Sequence, residues 1–330
     1  MHIGVVGVGR IGAFHARVLS EHPEVRRLSI SDIDGARAAA VAERLGAYVE
    51  SADHLLEHAD GIVIATDTAG HASLIERAAR PDRPVFCEKP IALELETTRS
   101  IVDRVGAAGA VVQIGFQRRF DAAYRRARAA VQDGTLGRIY IIRTAGHDAE
   151  PPHESYISTS GGIFRDLNIH DFDIIRYVTG QDIIEVYADG GVLGHAMYAK
   201  YDDVDTAVAV LRLNDGALAI MSGARHDPRG YDIRMELLGS ADSIAVGMGE
   251  RMPLRSLEAE GFVPVAAWSS FLDRFGDAYR EELHAFVDVI AGRQPNPCPP
   301  EEALIAMRVA VACDRSLREH RPVRIAEIDA

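Results

Sequence analysis

Two ionisable residues one helical turn apart are the first candidates for acid–base chemistry. The segment "GGIFRDLNIHDFDIIRYVTG" (residues 161–180) fits a helix whose apolar face is bordered by Asp166, His170, Asp173 and Tyr177. This border is expected to line a cleft, with His170 as a general base and Asp166 or Asp173 supporting its charge and orientation. The alternative, which an isolated Asp–His pair would favour, is a partly buried histidine that is hydrogen-bonded for structural reasons.

A glycine fingerprint near the start of the chain predicts a dinucleotide site. "GVGRIG" sets Gly7, Gly9 and Gly12 at G-x-G-x-x-G spacing between a β-branched run and a helical segment. This spacing permits a tight turn, close approach of a pyrophosphate and packing of the helix on the strand. Asp32 would accept hydrogen bonds from ribose hydroxyls and repel a 2′-phosphate, so NAD is expected over NADP, although Arg37 could reach such a phosphate. The alternative is a nucleotide-free turn and an ordinary surface aspartate.

A third candidate is the lysine of "CEKP", residues 87–90, at the carboxyl end of a predicted parallel strand, where open α/β sheets bind ligands. Lys89 could polarise a substrate oxygen and favour an alkoxide, while Glu88 could accept a hydrogen bond from a ribose hydroxyl. Pro90 would stiffen the turn. A solvated surface lysine is the usual alternative, and the fingerprint upstream favours the catalytic role. Cys87 as a reactive thiol is a minor alternative.

The elements that would position these residues form two domains. Strands alternate with helices in the first third, which predicts a parallel, doubly wound sheet in an NAD-binding domain over residues 1–118. Residues 119–330 are predicted to form an α+β domain for substrate binding and oligomerisation, with an open, mostly antiparallel sheet. In it, "DTAVAVLRLNDGALAIMSGAR" and "YDIRMELLGSADSIAVG" read as hairpins. Helices over about 277–291 and 300–319 close the chain and could pack back on the first domain.

Composition excludes several classes of protein. The 330 residues can bury two cores, and a formal net charge of −13 without a basic run argues against nucleic-acid binding. No apolar stretch reaches the length of a membrane span, and the first strand leaves no room for a signal peptide. The sparse, odd set of cysteines suggests reduced thiols in a cytoplasmic protein: Cys87, Cys298 and Cys313.

The motifs together resemble a known family. "GVGRIG", "SDID", "ATDTAGH", "EKP", "QRRFD", "GGIFRDLNIHDFD" and "EELHAFVDVIAG" occur in the order seen in the glucose-fructose oxidoreductase and inositol dehydrogenase family, over roughly residues 2–320. "QIGFQRRFD" and "RDLNIHDFDIIRY" look most similar to the inositol dehydrogenase branch. The resemblance implies a Rossmann domain, a second domain whose sheet often builds a dimer or tetramer interface, and oxidation of a secondary hydroxyl of a polyol, cyclitol or sugar.

The resemblance also assigns residues. Lys89, Asp166 and His170 match the family's catalytic lysine, aspartate and histidine. The expected cofactor-binding residues are Gly7, Gly9, Arg10, Ile11, Gly12, Asp32, Ile33, Arg37, Thr66, Asp67, His71, Glu88, Lys89 and Gln117. The expected substrate-binding residues are Lys89, Arg118, His147, Asp148, Asp166, His170 and Tyr231. His147, Asp148 and His153 could instead suggest a metal site, but their spacing in a proline-rich loop gives little support, and no metal is expected.

The sequence therefore predicts an NAD-dependent dehydrogenase that acts on a cyclitol or sugar, with inositol as the leading substrate and a homo-oligomeric state. The loop "AGHDAEPPHESYI" departs from the inositol dehydrogenase pattern, so substrate identity stays open. Alternatives are a dehydrogenase of another sugar, an enzyme that uses NAD transiently to cleave a glycosidic bond, and a non-enzymatic NAD sensor.

Overall fold

A computed structural model describes residues 1–258 and 265–329. The chain divides into two compact units: the first comprises Met1–Gln117 and Asp277–Leu304, and the second comprises Arg118–Gly276 and Ile305–Ala330. The first unit therefore begins as one segment and takes a second segment from near the end of the chain. Within the described residues, no helix combines the length and hydrophobicity that a membrane span requires.

The first unit contains a six-stranded parallel sheet in the order β3-β2-β1-β4-β5-β6. Its strands are His2–Val6 (β1), Arg27–Ser31 (β2), Tyr48–Val49 (β3), Gly61–Ile64 (β4), Val85–Glu88 (β5) and Val112–Gly115 (β6). Its helices are Arg10–Ser20 (α1), Gly35–Leu45 (α2), Ala52–His58 (α3), Thr68–Ala78 (α4) and Leu95–Ala108 (α5). The central strands β4 and β5 are buried along their whole length and β1 is buried from Ile3 onward, as expected when helices cover both faces of a parallel sheet. The predicted doubly wound domain is confirmed.

Local sequence explains where these helices begin and end. The Asp34 side chain accepts hydrogen bonds from the backbone N–H groups of Ala36 and Arg37, and Gly46 ends α2 in the left-handed conformation. The Ser51 hydroxyl caps α3 in the same way. By contrast, α1 starts at Gly9 with no side-chain cap, which leaves its first N–H groups available to a ligand.

The second unit contains a seven-stranded sheet in the order β12-β11-β7-β10-β9-β8-β13. Its strands are Ile139–His147 (β7), Ile183–Gly191 (β8), Thr206–Leu213 (β9), Leu218–Ala224 (β10), Asp232–Gly239 (β11), Ser243–Val246 (β12) and Val323–Arg324 (β13). Among the described strands of this sheet, only β7 and β10 pair in parallel, so the prediction of a mostly antiparallel sheet is confirmed. The β9–β10 and β11–β12 pairs are the two predicted hairpins.

Helices and short 3-10 turns complete the chain. The remaining helices are Ala122–Gln132 (α6), Glu154–Ser160 (α7), Ile163–Asp166 (α8), Ile169–Thr179 (α9), Phe271–Ile290 (α10) and Pro300–Glu319 (α11). The 3-10 turns are Gln117–Phe120, Ala196–Tyr201 and Ile325–Ile328. In the first unit, Leu283, Phe286 and Val287 of α10 join the buried core that contains Ile3 and Val63.

The prediction of a single helix over residues 161–180 is wrong in one respect, because the structure has two helices, α8 and α9, with a break between them. The N–H groups of Leu167 and Asn168 both bond to the carbonyl of Ile163, at 2.9 and 3.0 Å, which widens the turn. The Asn168 amide donates to Asp171 at 3.1 Å, and this side-chain bond competes with a regular helical turn. Asp166 therefore ends one helix, and His170 lies in the first turn of the next.

Candidate active site

The glycine turn has the shape that a dinucleotide pyrophosphate requires. Gly7 has φ +89°, and a Cβ there would lie 2.7 Å from the backbone of Ala65 and Thr66. A Cβ on Gly12 would collide with the Gly7 carbonyl oxygen, whereas a Cβ on Gly9 would meet no atom of the described residues within 4 Å. Two glycines are thus needed for packing, and Gly9 borders open space at the uncapped start of α1. The predicted Arg10 and Ile11 form the first turn of that helix.

Asp32, at the end of β2, is held in place by four donors. Its Oδ2 accepts from the Val8 N–H at 2.7 Å, and its Oδ1 accepts from the Asp34 N–H at 2.9 Å and from Arg37 Nη2 at 2.7 Å. Arg37 Nε lies 3.1 Å from Oδ2. Burial acts to raise the pKa of Asp32, but these hydrogen bonds outweigh it and lower the pKa below its ordinary value. Ile33 beside it is fully exposed.

His71 joins the loop after β4 to the turn after β5. Its ring is buried, with Nδ1 2.8 Å from the Pro90 carbonyl oxygen and Nε2 3.0 Å from the Thr66 carbonyl oxygen. Both nitrogens therefore face backbone, and the geometry supports a role in holding the Lys89–Pro90 turn, whose peptide bond is cis. Burial lowers the pKa of His71. Thr66 and the exposed Asp67 lie at the start of α4.

The two residues before Lys89 point into the first unit. Glu88 is 8% exposed, and its Oε1 lies 2.6 Å from Nε2 of the buried His15. The carboxylate that was expected to accept from a ribose hydroxyl is thus already engaged. Cys87 is fully buried, and burial raises the pKa of its thiol well above the ordinary value. A buried, protonated thiol does not fit the minor alternative of a nucleophilic cysteine.

Asp166 lies in the second unit between two donors that the sequence did not indicate. The Tyr156 hydroxyl donates to Oδ1 at 2.8 Å, and Arg225 Nη1 donates to Oδ2 at 2.8 Å. Asp148 Oδ2 lies 3.5 Å from the same Arg225 nitrogen. The Asp166 charge, followed by burial, raises the pKa of Tyr156. Burial acts to lower the pKa of Arg225, but Asp166 and Asp148 raise it overall, so this cation stays charged beside Asp166.

Two other acids near His170 belong to the interior of the second unit. Asp173 is 1% exposed, and its carboxylate accepts from Arg119 Nη2 at 2.5 Å and Nε at 2.9 Å. Asp173 is thus part of a buried ion pair, and its support of His170 stays a prediction. Arg118 is also 1% exposed, and it donates to Asp171 at 2.6 Å. Arg118 Nε and Nη2 have no hydrogen-bond partner among the described residues, and the contact between Arg118 and substrate stays a prediction.

The remaining predicted residues lie in different surroundings. Tyr231 is 6% exposed and contacts Phe275 edge-on at a centroid distance of 6.4 Å, and burial raises its pKa. Gln117 is 2% exposed at the end of the first unit's opening segment. His153 caps α7 through its own ring, so it does not join His147 and Asp148 in a ligand cluster.

A family model described as an oxidoreductase family with an NAD-binding Rossmann fold matches residues 1–116, and a model of the GFO/IDH/MocA C-terminal domain matches residues 124–245. The chain belongs to the GFO/IDH/MocA oxidoreductase family. The first unit of this family member is accordingly an NAD-binding Rossmann fold, and the expected cofactor NAD is confirmed.

Relatives of this GFO/IDH/MocA chain match it over nearly its full length. It is 35% identical to a myo-inositol 2-dehydrogenase from Thermotoga maritima, covering 99% of each chain. A myo-inositol dehydrogenase from Corynebacterium glutamicum has a solved structure with a TM-score of 0.90 at 33% identity, covering 98% of each chain. A scyllo-inositol dehydrogenase from Lactobacillus casei, solved with NAD(H) and scyllo-inositol, gives 0.89 at 28% identity, covering 99% of each chain.

Proposed function

We propose that this protein oxidises a secondary hydroxyl group of a cyclitol to a ketone with NAD, and that inositol is its substrate. The observation that carries the proposal is the full-length similarity to inositol 2-dehydrogenases at 34–35% identity, with Lys89, Asp166 and His170 all present at the motif positions. Oxidation of an alcohol needs a base for the hydroxyl proton and a cation near the developing alkoxide. These three residue types supply both.

Each catalytic residue has a separate task in this proposal. The ammonium of Lys89 stabilises negative charge on the substrate oxygen as the O–H bond breaks, and His170 takes the proton. Asp166, fixed by Tyr156 and Arg225, orients the site and stabilises the imidazolium that forms on His170. The chemistry that NAD supplies when bound is acceptance of the hydride from the carbinol carbon.

The residues of the first unit fit NAD. We propose that the pyrophosphate binds at the start of α1, over Gly9, Arg10 and Ile11, because that helix end is uncapped and open. Asp32 accepts from the adenosine ribose, and the exposed side chain of Ile33 packs against the adenine. The remaining proposed contacts to the nicotinamide half of NAD are Thr66, Asp67, Lys89 and Gln117.

For the substrate, we propose that Asp148 is the main hydroxyl-binding residue of the second unit beyond the catalytic pair. Its side chain is 25% exposed and lies next to Arg225, so the carboxylate is accessible and its position is fixed. Tyr231 and His147 remain weaker candidates. Tyr231 is buried, and the ring of His147 already contacts Ser222, Asp227 and Asp232. Arg118 contributes through packing, since it is paired with Asp171.

We also propose a homo-oligomer, in keeping with the predicted dimer or tetramer, and a cytoplasmic location. Several apolar side chains on one face of the second sheet are exposed, including Val208, Val210 and Ile220 at 51, 47 and 47%. An exposed apolar patch of this kind is typical of an interface. The three cysteines are free thiols, which suits a reducing compartment.

The test is NADH formation, followed by absorbance, with a panel of cyclitols and sugars in the presence of NAD or NADP. The panel contains myo-, scyllo- and D-chiro-inositol, glucose, galactose, xylose and an anhydrosugar. We expect a strong, NAD-selective rate with one inositol. A rate with sugars and none with inositols would contradict the proposed substrate but support the proposed NAD-dependent oxidation. Product without NADH would contradict the reaction itself.

The matched variant is Lys89→Met. We expect it to bind NADH, as measured by fluorescence, and to lose activity by roughly a hundredfold or more, the range of a removed proton-transfer or charge-stabilising group. Normal turnover by this variant would show that Lys89 is not catalytic. Loss of both activity and NADH binding would assign Lys89 to cofactor binding instead.

A further inference from the structure

Three potential metal ligands meet at one end of the second sheet. His147 ends β7, Asp232 begins β11 directly opposite it in the antiparallel register, and Asp227 lies in the loop between β10 and β11. His147 Nδ1 lies 3.7 Å from an oxygen of each aspartate, and all three atoms lie within 4.8 Å of one another. None of this is visible as a sequence motif, because 79 residues (148–226) lie between the first two ligands and 4 residues (228–231) between the last two.

In each of these three side chains, the polar atom that faces away from the meeting point forms a hydrogen bond with another residue. This is the arrangement in which second-shell partners orient metal ligands. The three contacts are His147 Nε2 with Ser222 Oγ at 3.0 Å, Asp227 Oδ1 with the Arg229 N–H at 2.9 Å, and Asp232 Oδ1 with Arg234 Nε at 2.7 Å. As a result, the second nitrogen of the histidine and one oxygen of each carboxylate are directed towards the same point.

The hydrogen-bond chain behind His147 fits the tautomer that carries its proton on Nε2. The Ser222 hydroxyl donates to the Thr144 carbonyl oxygen at 3.4 Å, so its oxygen accepts from His147 Nε2–H. In neutral histidine, Nδ1 then carries a lone pair. That lone pair faces two carboxylate oxygens, and such an arrangement of electron-rich atoms is stabilised by a cation.

The buried member of the group supports this conclusion independently. Asp232 is 1% exposed, and its Oδ2 accepts no hydrogen bond from the described part of the chain. Arg234 compensates one of the two aspartate charges, which leaves one negative charge around the point where the three atoms meet. A buried carboxylate oxygen in this position requires a partner.

We propose that His147, Asp227 and Asp232 bind a divalent transition-metal ion of the Zn²⁺ or Mn²⁺ type. Imidazole together with carboxylates favours these ions over Ca²⁺, which prefers oxygen ligands alone. The side chains of His147 and Asp227 are 21 and 16% exposed, so water can complete the coordination. The site departs from the expectation of no metal, and it goes beyond the proposed function because binding of the ion requires neither NAD nor inositol.

The experiment is titration of the full-length, untagged, EDTA-treated protein with Co²⁺, followed by visible absorption, and then with Zn²⁺ as a competitor. We expect one Co²⁺ per chain, displaced by Zn²⁺. Asp227→Asn and His147→Gln should abolish the absorption, and Ser222→Ala should weaken binding on the order of 10- to 100-fold. Asp189→Asn, a change of the same type at an exposed position of β8, is the control and should bind as wild type.

Asp227→Asn is the decisive variant, because Asp227 lies in a loop and the protein should fold without its charge. Circular dichroism and NADH binding check that it does. Absence of saturable Co²⁺ binding by the wild type overturns the proposal, as does equal binding by Asp227→Asn. Because no readout depends on turnover, failure here is distinguishable from failure of the proposed dehydrogenase activity.

Discussion

Asp166 shows how a single carboxylate is prepared for a task by residues that are distant in sequence. Tyr156 precedes it by 10 positions and Arg225 follows it by 59. The spacing of Asp166 and His170 predicted this pair from the sequence alone. The two donors could not be identified in that way, because only the sheet order brings the residue after β10 next to the end of α8.

Cofactor choice also depends on a contact between two side chains. Asp32→Ser should release the Arg37 guanidinium, which now donates to Asp32 at 2.7 Å. The free cation can then bind a 2′-phosphate, and the repelling carboxylate is gone. We expect the NADP-to-NAD ratio of kcat/KM to rise by about tenfold or more, equivalent to about 1.4 kcal/mol.

The matched control for this prediction is the double variant Asp32→Ser with Arg37→Ala, which lacks both the carboxylate and the cation. It should lose most of the gain in NADP use. Steady-state kinetics with both cofactors measure the ratio for the wild type and the two variants. If Asp32→Ser alone retained the wild-type preference for NAD, Asp32 would not be the residue that discriminates between the cofactors.

At the level of helices and strands, alternation and turn chemistry predicted the parallel sheet and both hairpins, because these signals are local. The break between α8 and α9 was not predicted. It depends on the Asn168 side chain, which competes for a local hydrogen bond and packs against Gly223 on a neighbouring strand. Likewise, Asp173 bordered the apolar face in sequence, but only the structure pairs it, and its neighbour Asp171, with arginines.

These pairs connect α9 to the turn Gln117–Phe120, and Asp171→Asn tests their contribution. The change leaves the Arg118 charge buried without its ion pair, so we expect the free energy of unfolding to fall by about 3–5 kcal/mol. Urea denaturation followed by the fluorescence of Trp268, the single tryptophan, reports on this unit.

The exposed pair between Arg176 and Asp182 provides the control for the buried one. Asp182→Asn should cost less than about 1 kcal/mol, because the Asp182 side chain is 59% exposed. The double variant Arg118→Met, Asp171→Leu removes both charges and should recover part of the loss. Equal losses in the free energy of unfolding for Asp171→Asn and Asp182→Asn would show that the buried pair contributes no more to stability than the exposed one.

For the molecule as a whole, composition predicted two cores, but it did not indicate which segments build each one. The segment Asp277–Leu304 belongs to the first unit although it follows the second in sequence. Its amphipathic pattern shows that one face of α10 is buried, and the same pattern would suit either core. Only tertiary packing, with Leu283 and Phe286 among the strands of the first unit, decides between them.

The pH dependence of stability is also a property of the whole molecule. Asp314 contributes to it with the opposite sign to carboxylates whose pKa is lowered by folding. Burial raises the pKa of Asp314 to about 6 from an ordinary 3.8, against the lowering effect of Arg165 and Arg318. Between these values the folded protein binds a proton that the unfolded chain has lost. Stability from this group therefore falls as the pH rises through the window, by about 1.4 kcal/mol per pH unit at most.

Asp314→Asn removes that titration, so the stability of the variant relative to wild type should increase from about pH 4 to about pH 6 and then level off. Groups with lowered pKa values, such as Asp32 and Asp205, give the opposite slope in both proteins and cancel in the difference. Urea midpoints measured across this range for wild type, Asp314→Asn and the exposed control Asp189→Asn give the comparison. A difference between Asp314→Asn and wild type that stays constant with pH would mean that Asp314 is ionised throughout, held so by Arg165 at 3.0 Å.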